Sequence, residues 1–319
     1  MTSSERILVT GGAGFIGSHL VDLLLQEGHE VWTLDDLSTG SRANLPAGVP
    51  LLVADVCDRT RVHEVFGHVR PTAVCHLAAQ MSVSCSVREP AADARTNILG
   101  WVQVLEACVA AGVRRVVFAS SGGVLYGEVT RPALEDAPCA PVSPYGLSKW
   151  AGEKYLEYFA REHHLEAVAL RYSNVYGPRQ NPDGEAGVVA IFCQNMLAGR
   201  DCLIHGDGQA IRDYVYVADV ARANLQALTR PLPDRFQVLN IGTGTGTDVN
   251  QIEALLRDEF IHLGGRVAIP PRHGAPRSGD LRSNLVAIGK ARAALGWTPQ
   301  VELSAGLRQT MQWFAHRPT

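Results

Sequence analysis

The sequence predicts an α/β protein: a doubly wound parallel sheet followed by a smaller C-terminal α/β substrate domain. Three observations predict it. Short, almost wholly apolar segments alternate with amphipathic helical segments over the first 170 residues, the pattern of a parallel sheet covered on both faces. A glycine-rich turn, Gly11-Gly12-Ala13-Gly14-Phe15-Ile16-Gly17, joins the first apolar segment to the first helical one. An acid, Asp35, closes the second apolar segment. Right-handed crossovers between such units wind the sheet in both directions.

Residues 7–10 read as the first strand. Ile16, Leu20, Leu23 and Leu24 then recur at helical spacing, and Gly28 ends that helix because glycine accepts the left-handed cap conformation. Residues 31–34, 51–53, 73–77, 116–119 and 167–170 read as further strands. Residues 96–111 read as one helix closing on Gly112. After about residue 175 the pattern loosens, Gly and Pro become frequent, and helices are predicted over 188–198, 219–228, 250–257 and 289–295. The predicted division is 1–174 for the dinucleotide domain and 175–319 for the substrate domain, with segments free to cross between them.

The bulk numbers narrow the function. The 319 residues are 46% hydrophobic, enough to bury a sizeable core, and carry a net charge of −3, which argues against nucleic acid as the partner. Met1 leads straight into the apolar run at Ile7 without a charged-then-apolar leader, and no apolar run approaches the roughly 18 residues of a membrane helix. The seven cysteines lack CxxC spacing and read as small packed hydrophobes. A cytoplasmic protein with no membrane contact is expected. The eleven histidines show no HExxH spacing, so no metal is expected.

The glycine turn fits GxxGxxG through Gly11, Gly14 and Gly17. These glycines permit a tight turn, close approach of a pyrophosphate and close helix–strand packing, as in a Rossmann dinucleotide unit. The N-terminus of the following helix offers free N–H groups to the phosphates. Asp35 is placed to accept hydrogen bonds from the adenosine ribose. It would repel a 2′-phosphate, and Asp36-Leu37-Ser38 contains no Arg, so NAD is favoured over NADP. Asp55-Val56, after the third strand, is placed to flank the adenine.

Tyr145 and Lys149 stand four apart and share a helix face. A tyrosine titrates far above neutral pH. One cation about 5 Å away at an effective dielectric of ~20 favours its anion by about 3 kcal/mol, and burial opposes that. A hydroxyl from Ser120 or Ser121, at the end of the fifth strand, would complete a proton-transfer set.

Taken together these residues resemble the extended short-chain dehydrogenase/reductase family, and within it the NAD-dependent nucleotide-sugar epimerases of the UDP-glucose (UDP-galactose) 4-epimerase type. The resemblance spans nearly the whole chain. It runs through Thr10 to His19, His76-Leu77-Ala78-Ala79, Tyr145…Lys149, Arg171 to Pro178, Gly206-Asp207-Gly208 and Arg212-Asp213-Tyr214. It implies Tyr145 as base, Lys149 as holder of the nicotinamide ribose and Ser121 as the catalytic hydroxyl. Counting forward from Phe118 selects Ser121, whereas counting back from Tyr126-Gly127 selects Gly122. The forward count is preferred because a strand is rigid and a loop absorbs insertions, with Ser120 as the substitute. The cofactor set implied is Gly11, Gly14, Phe15, Ile16, Gly17, Asp35, Asp36, Leu37, Thr39, Gly40, Asp55, Val56, Leu77, Ala78, Ala79, Gln80, Asn97, Tyr145, Lys149 and Tyr172. Some relatives carry Lys where this chain has Gln80-Met81. The substrate set implied is Ser121, Asn174, Val188, Arg212, Arg277, Asp280 and Asn284, with Asn284 near the sugar's C2 substituent.

The reaction implied is reversible oxidation of a UDP-hexose at C4. Nucleotide-sugar 4,6-dehydratases typically carry Asp-Glu beside the catalytic hydroxyl, and UDP-glucuronate decarboxylases a Glu. This chain has Gly122-Gly123, which supply no proton-transfer group. UDP-glucose/UDP-galactose are the expected substrates, with UDP-GlcNAc/UDP-GalNAc admitted by the small Asn284. A UDP-glucuronate 4-epimerase or a nucleotide-sugar 4,6-dehydratase is the alternative, and a catalytically silent NAD- or nucleotide-sensing protein is the non-enzyme alternative. The resemblance also implies a homodimer through helices at about 96–111 and 145–162.

Overall fold

The strand–helix alternation resolves into one seven-stranded parallel sheet with a second, smaller layer beside it. The computed structural model describes residues 4–183, 187–266, 270–276 and 280–316. Its first half runs β1 (Arg6–Thr10), α1 (Phe15–Gln26), β2 (Glu30–Asp35), β3 (Leu51–Val53), α2 (Arg59–Val69), β4 (Ala73–His76), α3 (Val83–Arg88), α4 (Pro90–Ala94) and a π-helical turn (Arg95–Gly100). It continues through α5 (Trp101–Ala110), β5 (Arg115–Ser121), α6 (Gly122–Leu125), α7 (Pro144–His163) and β6 (Glu166–Tyr172). The second half runs β7 (Asn174–Tyr176), α8 (Val188–Leu197), β8 (Leu203–His205), β9 (Ile211–Tyr216), α9 (Val217–Thr229), β10 (Phe236–Ile241), β11 (Gly246–Asp248) and α10 (Val249–His262). It closes with β12 (Arg272–Gly274), β13 (Ser283–Asn284), α11 (Gly289–Leu295) and α12 (Leu303–His316).

The large sheet has the order β3-β2-β1-β4-β5-β6-β10, and every pair is parallel. The order reverses between β1 and β4. In open α/β sheets the ligand crevice lies at that switch point, outside the carboxyl ends of the strands. One face is covered by α1 and α9, where Leu20, Leu24, Val220 and Ala223 join Val9 and Val117 in one core. The other is covered by α2, α5 and α7, where Phe66, Trp101, Leu105 and Leu156 meet Leu8, Val74 and Phe118. Thus α9 and β10 return from the second half of the chain to complete the first sheet. The predicted caps hold locally: Gly28 and Gly112 have φ of 82° and 69°, where a Cβ would be strained.

The helix read over 96–111 needs a correction. It is regular only from Trp101, and its start is the π turn Arg95–Gly100. Apolar periodicity cannot register one extra residue in a turn. Gly100 brings that turn against Val56, where a Cβ would lie 2.9 Å from the Val56 Cγ2.

The second layer is centred on β9, which pairs with β7 through its later residues and with β11 and β13 through its earlier ones. Its core gathers Tyr176, Phe192, Met196, Tyr216, Leu256 and Met311. Asp213 ties the two layers together. Fully buried, it accepts hydrogen bonds from the Thr243 N–H and hydroxyl, both at 2.8 Å, and from the Gly244 N–H at 2.9 Å, just beyond β10. No helix among the described residues is long and apolar enough to cross a membrane.

Beneath α7, three rings stack on one another. Trp101 lies 4.4 Å from His76 and 4.7 Å from Phe118, centroid to centroid. Trp101 also donates from Nε1 to the Gly152 carbonyl at 3.0 Å. Gly152 is what lets α7 settle on this stack, because a Cβ there would sit 2.6 Å from the Phe118 Cζ. Gly152→Ala therefore sets two effects against each other. Helix propensity favours Ala by about 1 kcal/mol, and crowding a fully buried ring costs about 1–3 kcal/mol. Crowding wins, so the urea midpoint of Gly152→Ala falls; a midpoint at or above wild type would show that the stack yields freely.

Candidate active site

At the switch point the chain builds a phosphate cradle from backbone alone. Gly11 leaves β1 at φ 69°, its N–H donating to the Leu34 carbonyl at 2.8 Å. A Cβ on Gly11 would lie 2.6 Å from the Ala78 nitrogen, and one on Gly17 would lie 2.1 Å from the Gly11 oxygen. Both contacts are with main chain, which has no flexible end to move aside. Gly14 caps α1 without a side-chain hydrogen bond. The N–H groups of the first turn, from Phe15, Ile16 and Gly17, are therefore left for an anion. This is the cradle a dinucleotide pyrophosphate requires, and the residues present fit it.

Asp35 is buried at the end of β2 and accepts the Ala13 and Leu37 N–H groups, both at 2.9 Å. Burial pushes its carboxyl above the usual range while the two amides pull it back. A carboxylate has about four acceptor sites, so both oxygens keep capacity for ribose hydroxyls. The loop that follows folds round it. Leu37 takes φ 60°, Asp36 accepts the Ser38 N–H at 2.9 Å, Thr39 is exposed, and a Cβ on Gly40 would touch Asp35 Oδ1 at 2.9 Å. Asp55 is exposed and accepts the Cys57 N–H at 2.8 Å, beside buried Val56.

The segment after β4 follows the same edge. Leu77 donates to the Thr10 carbonyl at 3.0 Å and Ala78 to the Thr10 hydroxyl at 3.4 Å, with Ala79 next. Asn97 clamps Gln80 at two points, accepting its N–H at 3.0 Å and donating to its carbonyl at 2.8 Å. The Gln80 side chain itself donates to Asp93 at 2.8 Å. Asn97 and Asp93 thus hold both the main chain and the side chain of Gln80 at the cofactor edge. Tyr172 is fixed in the same way. Its hydroxyl is spent on Asn224 in the core at 2.8 Å, while its main chain is the β6 register partner of Ser121.

Tyr145 stands in the first turn of α7. Ser143 caps that helix by accepting the Gly146 N–H at 3.2 Å, and Pro144 opens it. Gly146 lets the turn close on α6, since a Cβ there would lie 3.1 Å from the Val124 oxygen. Lys149, one turn on, is buried; its Nζ donates to the Ala119 carbonyl at 2.9 Å and lies 5.0 Å from the Phe118 ring centroid and 5.7 Å from that of Tyr145. Burial pushes the ammonium down to about 8, against a nearby Asp93 charge that holds it up. Burial, with Asp93 adding to it, raises the Tyr145 phenol. In the protein by itself the phenol stays protonated; the expected pull from Lys149 does not outweigh desolvation.

The two serines at the end of β5 are now distinct. The Ser120 hydroxyl is buried and donates to Glu153 at 2.5 Å, which removes it as the substitute proton donor. Ser121 caps α6 without a side-chain hydrogen bond, so its hydroxyl stays available. Glu153 also holds Arg171 through bonds of 2.8 and 2.7 Å, and Arg171 reaches the Tyr126 hydroxyl at 2.7 Å. Sequence reasoning missed this buried network and Asp93. One signal was present: Glu153 continues the Tyr145, Lys149 spacing by another four residues, on the same face of α7.

The substrate residues expected in the second half come together in part. Asn174 donates to the Asp213 carbonyl at 3.2 Å. Arg212 pairs with Asp280 at 2.5 Å. Asn284 is the register partner of Arg212, is fully buried, and donates to the Gly127 carbonyl at 3.3 Å; its Oδ1 has no partner among the described residues. The loop beyond α6 is bound to the same strand, with Glu128 accepting the Arg282 and Ser283 N–H groups at 2.7 and 2.8 Å. Val188 is part-buried at the start of α8. Arg277 lies outside the described residues.

Comparison with known proteins agrees with this architecture. The profile of the NAD dependent epimerase/dehydratase family matches residues 7–242. A UDP-glucose 4-epimerase of Mycolicibacterium smegmatis is 43% identical over 320 residues, covering 98% of this chain and 99% of that one. The crystal structure of the Thermotoga maritima UDP-glucose 4-epimerase with UDP-glucose superposes with a TM-score of 0.92 at 48% identity, covering 97% and 98% of the two chains. That of the Thermus thermophilus UDP-glucose 4-epimerase complex with NAD gives 0.90 at 44%, covering 98% and 99%.

The buried ammonium has a consequence for stability. The Lys149 amine ordinarily titrates near 10.5 and here near 8. Between those values the unfolded chain binds the proton and the folded one does not, so this group makes stability rise with pH across that window. The penalty is present in full below about pH 8. Wild type minus Lys149→Met, compared by urea melts at pH 7.5 and 10, shows this rise; a flat difference would mean that Lys149 keeps an ordinary proton affinity.

Proposed function

The chain belongs to the NAD-dependent epimerase/dehydratase family, and on that premise we propose that it interconverts UDP-glucose and UDP-galactose at C4. The observation that carries the choice within the family is the turn after Ser121. A Cβ on Gly122 would lie 2.7 Å from the Val286 Cγ1, so position 122 has no room for a carboxylate, and Gly123 offers none. Elimination of water needs a proton-transfer group at that place; reversible oxidation at one carbon does not.

NAD, held on the glycine cradle and Asp35, supplies the uptake and return of one hydride. Tyr145 takes the C4 hydroxyl proton and later gives it back. Ser121 hydrogen-bonds the same oxygen. Lys149 holds the nicotinamide ribose, and its positive charge favours the phenolate when the proton moves. Arg212 and Asn174, with Arg277, Val188 and Asp280, hold the uridine diphosphate; a guanidinium stays charged and matches phosphate oxygens. The pocket would let the 4-keto sugar turn over while the nucleotide stays fixed. We further infer that Asn284 leaves space for an N-acetyl group at C2.

A homodimer is the proposed assembly. Leu99, Trp150, Tyr155 and Tyr158 are 52, 38, 41 and 49% exposed on the segments expected to pair, more apolar surface than solvent favours. Seven free cysteines support a reducing, cytoplasmic setting. Residues 1–174 and 175–319 are proposed as cofactor and substrate units, with α9 and β10 crossing into the first sheet.

The test is NMR of purified protein with UDP-glucose, UDP-GlcNAc and UDP-glucuronate. C4 interconversion without net NADH is expected for the first two; a stable 4-keto-6-deoxy product or CO2 release would overturn the reading. Tyr145→Phe lowers kcat by about 10²–10⁴-fold with bound NAD retained. Asn284→Tyr lowers turnover of the N-acetylated sugar selectively; an unchanged ratio would remove Asn284 from the C2 pocket.

A further inference from the structure

The buried carboxylate of Asp93 has no part in the assignments above. It is 1% exposed and forms no ion pair among the described residues. Its two oxygens serve different elements. Oδ1 accepts the Gln80 side-chain amide at 2.8 Å and the Asn97 amide at 2.9 Å. Oδ2 accepts the Ser148 hydroxyl at 2.6 Å. Gln80 and Asn97 shape the segment that follows β4 at the cofactor edge. Ser148 adjoins Lys149 on α7. One side chain thus bridges the cofactor segment and the Tyr–Lys helix.

The Oδ1 bonds have a second effect. An amide can flip, and the Asn97 clamp on the Gln80 main chain works in one orientation only. A carboxylate accepts and never donates, so Asp93 turns the Asn97 Nδ2 toward itself and leaves Asn97 Oδ1 for the Gln80 N–H. The π turn Arg95–Gly100 begins two residues after Asp93, and π turns recur at functional sites. An isolated carboxylate is costly to bury. Three donors offset that cost here, and the Lys149 ammonium feels the charge.

We propose that Asp93 is a positioning residue for the reaction: its carboxylate locks the segment after β4 to α7 and so holds Tyr145 and Lys149 in register with the cofactor. The proposal rests on the epimerase reading. Its charge acts as well. Asp93 favours the protonated form of both Tyr145 and Lys149. The other charged or titratable groups near this pair are His76, which burial and Lys149 keep neutral, and Glu153, which Arg171 neutralises. Removing the Asp93 charge therefore moves both proton affinities the same way, downward.

Asp93→Asn keeps the shape and removes the charge, and Ser148→Ala keeps the charge and cuts the α7 arm. In Asp93→Asn the whole bell of kcat against pH moves toward acid by about half a pH unit or more. Its kcat falls about tenfold or more, and the KM for UDP-glucose changes less than twofold. Ser148→Ala lowers kcat with the bell in place. Asp93→Asn with a wild-type bell, whatever its melting temperature, would reduce Asp93 to a structural role and overturn the proposal. If wild type shows no C4 interconversion, the functional reading fails separately, and NAD binding by calorimetry decides on Asp93. Affinity then falls about tenfold in Asp93→Asn if the lock holds the cofactor segment, and unchanged affinity refutes it.

Discussion

The site is organised round one buried ammonium. Lys149 has given up water for a single carbonyl, the face of Phe118 and the more distant charge of Asp93. A lysine so placed holds its proton weakly and is sensitive to small displacements of its neighbours. That sensitivity explains why its surroundings are so heavily fixed. The ring stack of His76, Trp101 and Phe118 sets the floor, Gly152 lets α7 rest on it, and Ser143 fixes where α7 begins. Stability is spent there on function, as is common at active sites.

Much of this was legible from the chain. The glycine turn, Asp35 and the Tyr145–Lys149 spacing each depend on local geometry, and local geometry leaves a trace in residue order. The cap glycines Gly28 and Gly112 were readable for the same reason. What was not legible depends on partners far apart in sequence. Ser120 and Ser121 look equivalent until Glu153, 33 residues on, is seen to hold one of them. The Asn224 partner of the Tyr172 hydroxyl and the Asp93 partner of the Gln80 amide leave no local trace either. The π turn escaped because an added residue shifts the apolar period without abolishing it.

The two layers divide the work. The seven-stranded sheet presents rigid backbone: main-chain amides, a buried acid and glycines that no other residue replaces. The smaller layer presents side chains on β7, β9 and β13, and Asp213 joins it to the segment beyond β10. On the proposed reading, a nucleotide diphosphate is gripped between these layers and the sugar lies beyond it. Firm grip on the carrier and loose grip on the cargo is what a sugar that must present both faces requires.

The contact between Gly122 and Val286 reaches beyond the present chemistry. Val286 is fully buried and bridges to Ala133 across the loop that follows α6. Any side chain introduced at 122 collides with it, and shrinking Val286 alone opens a cavity in its place. Room for a side chain at 122 therefore calls for a matching exchange at Val286, a coupling between two positions far apart in the chain.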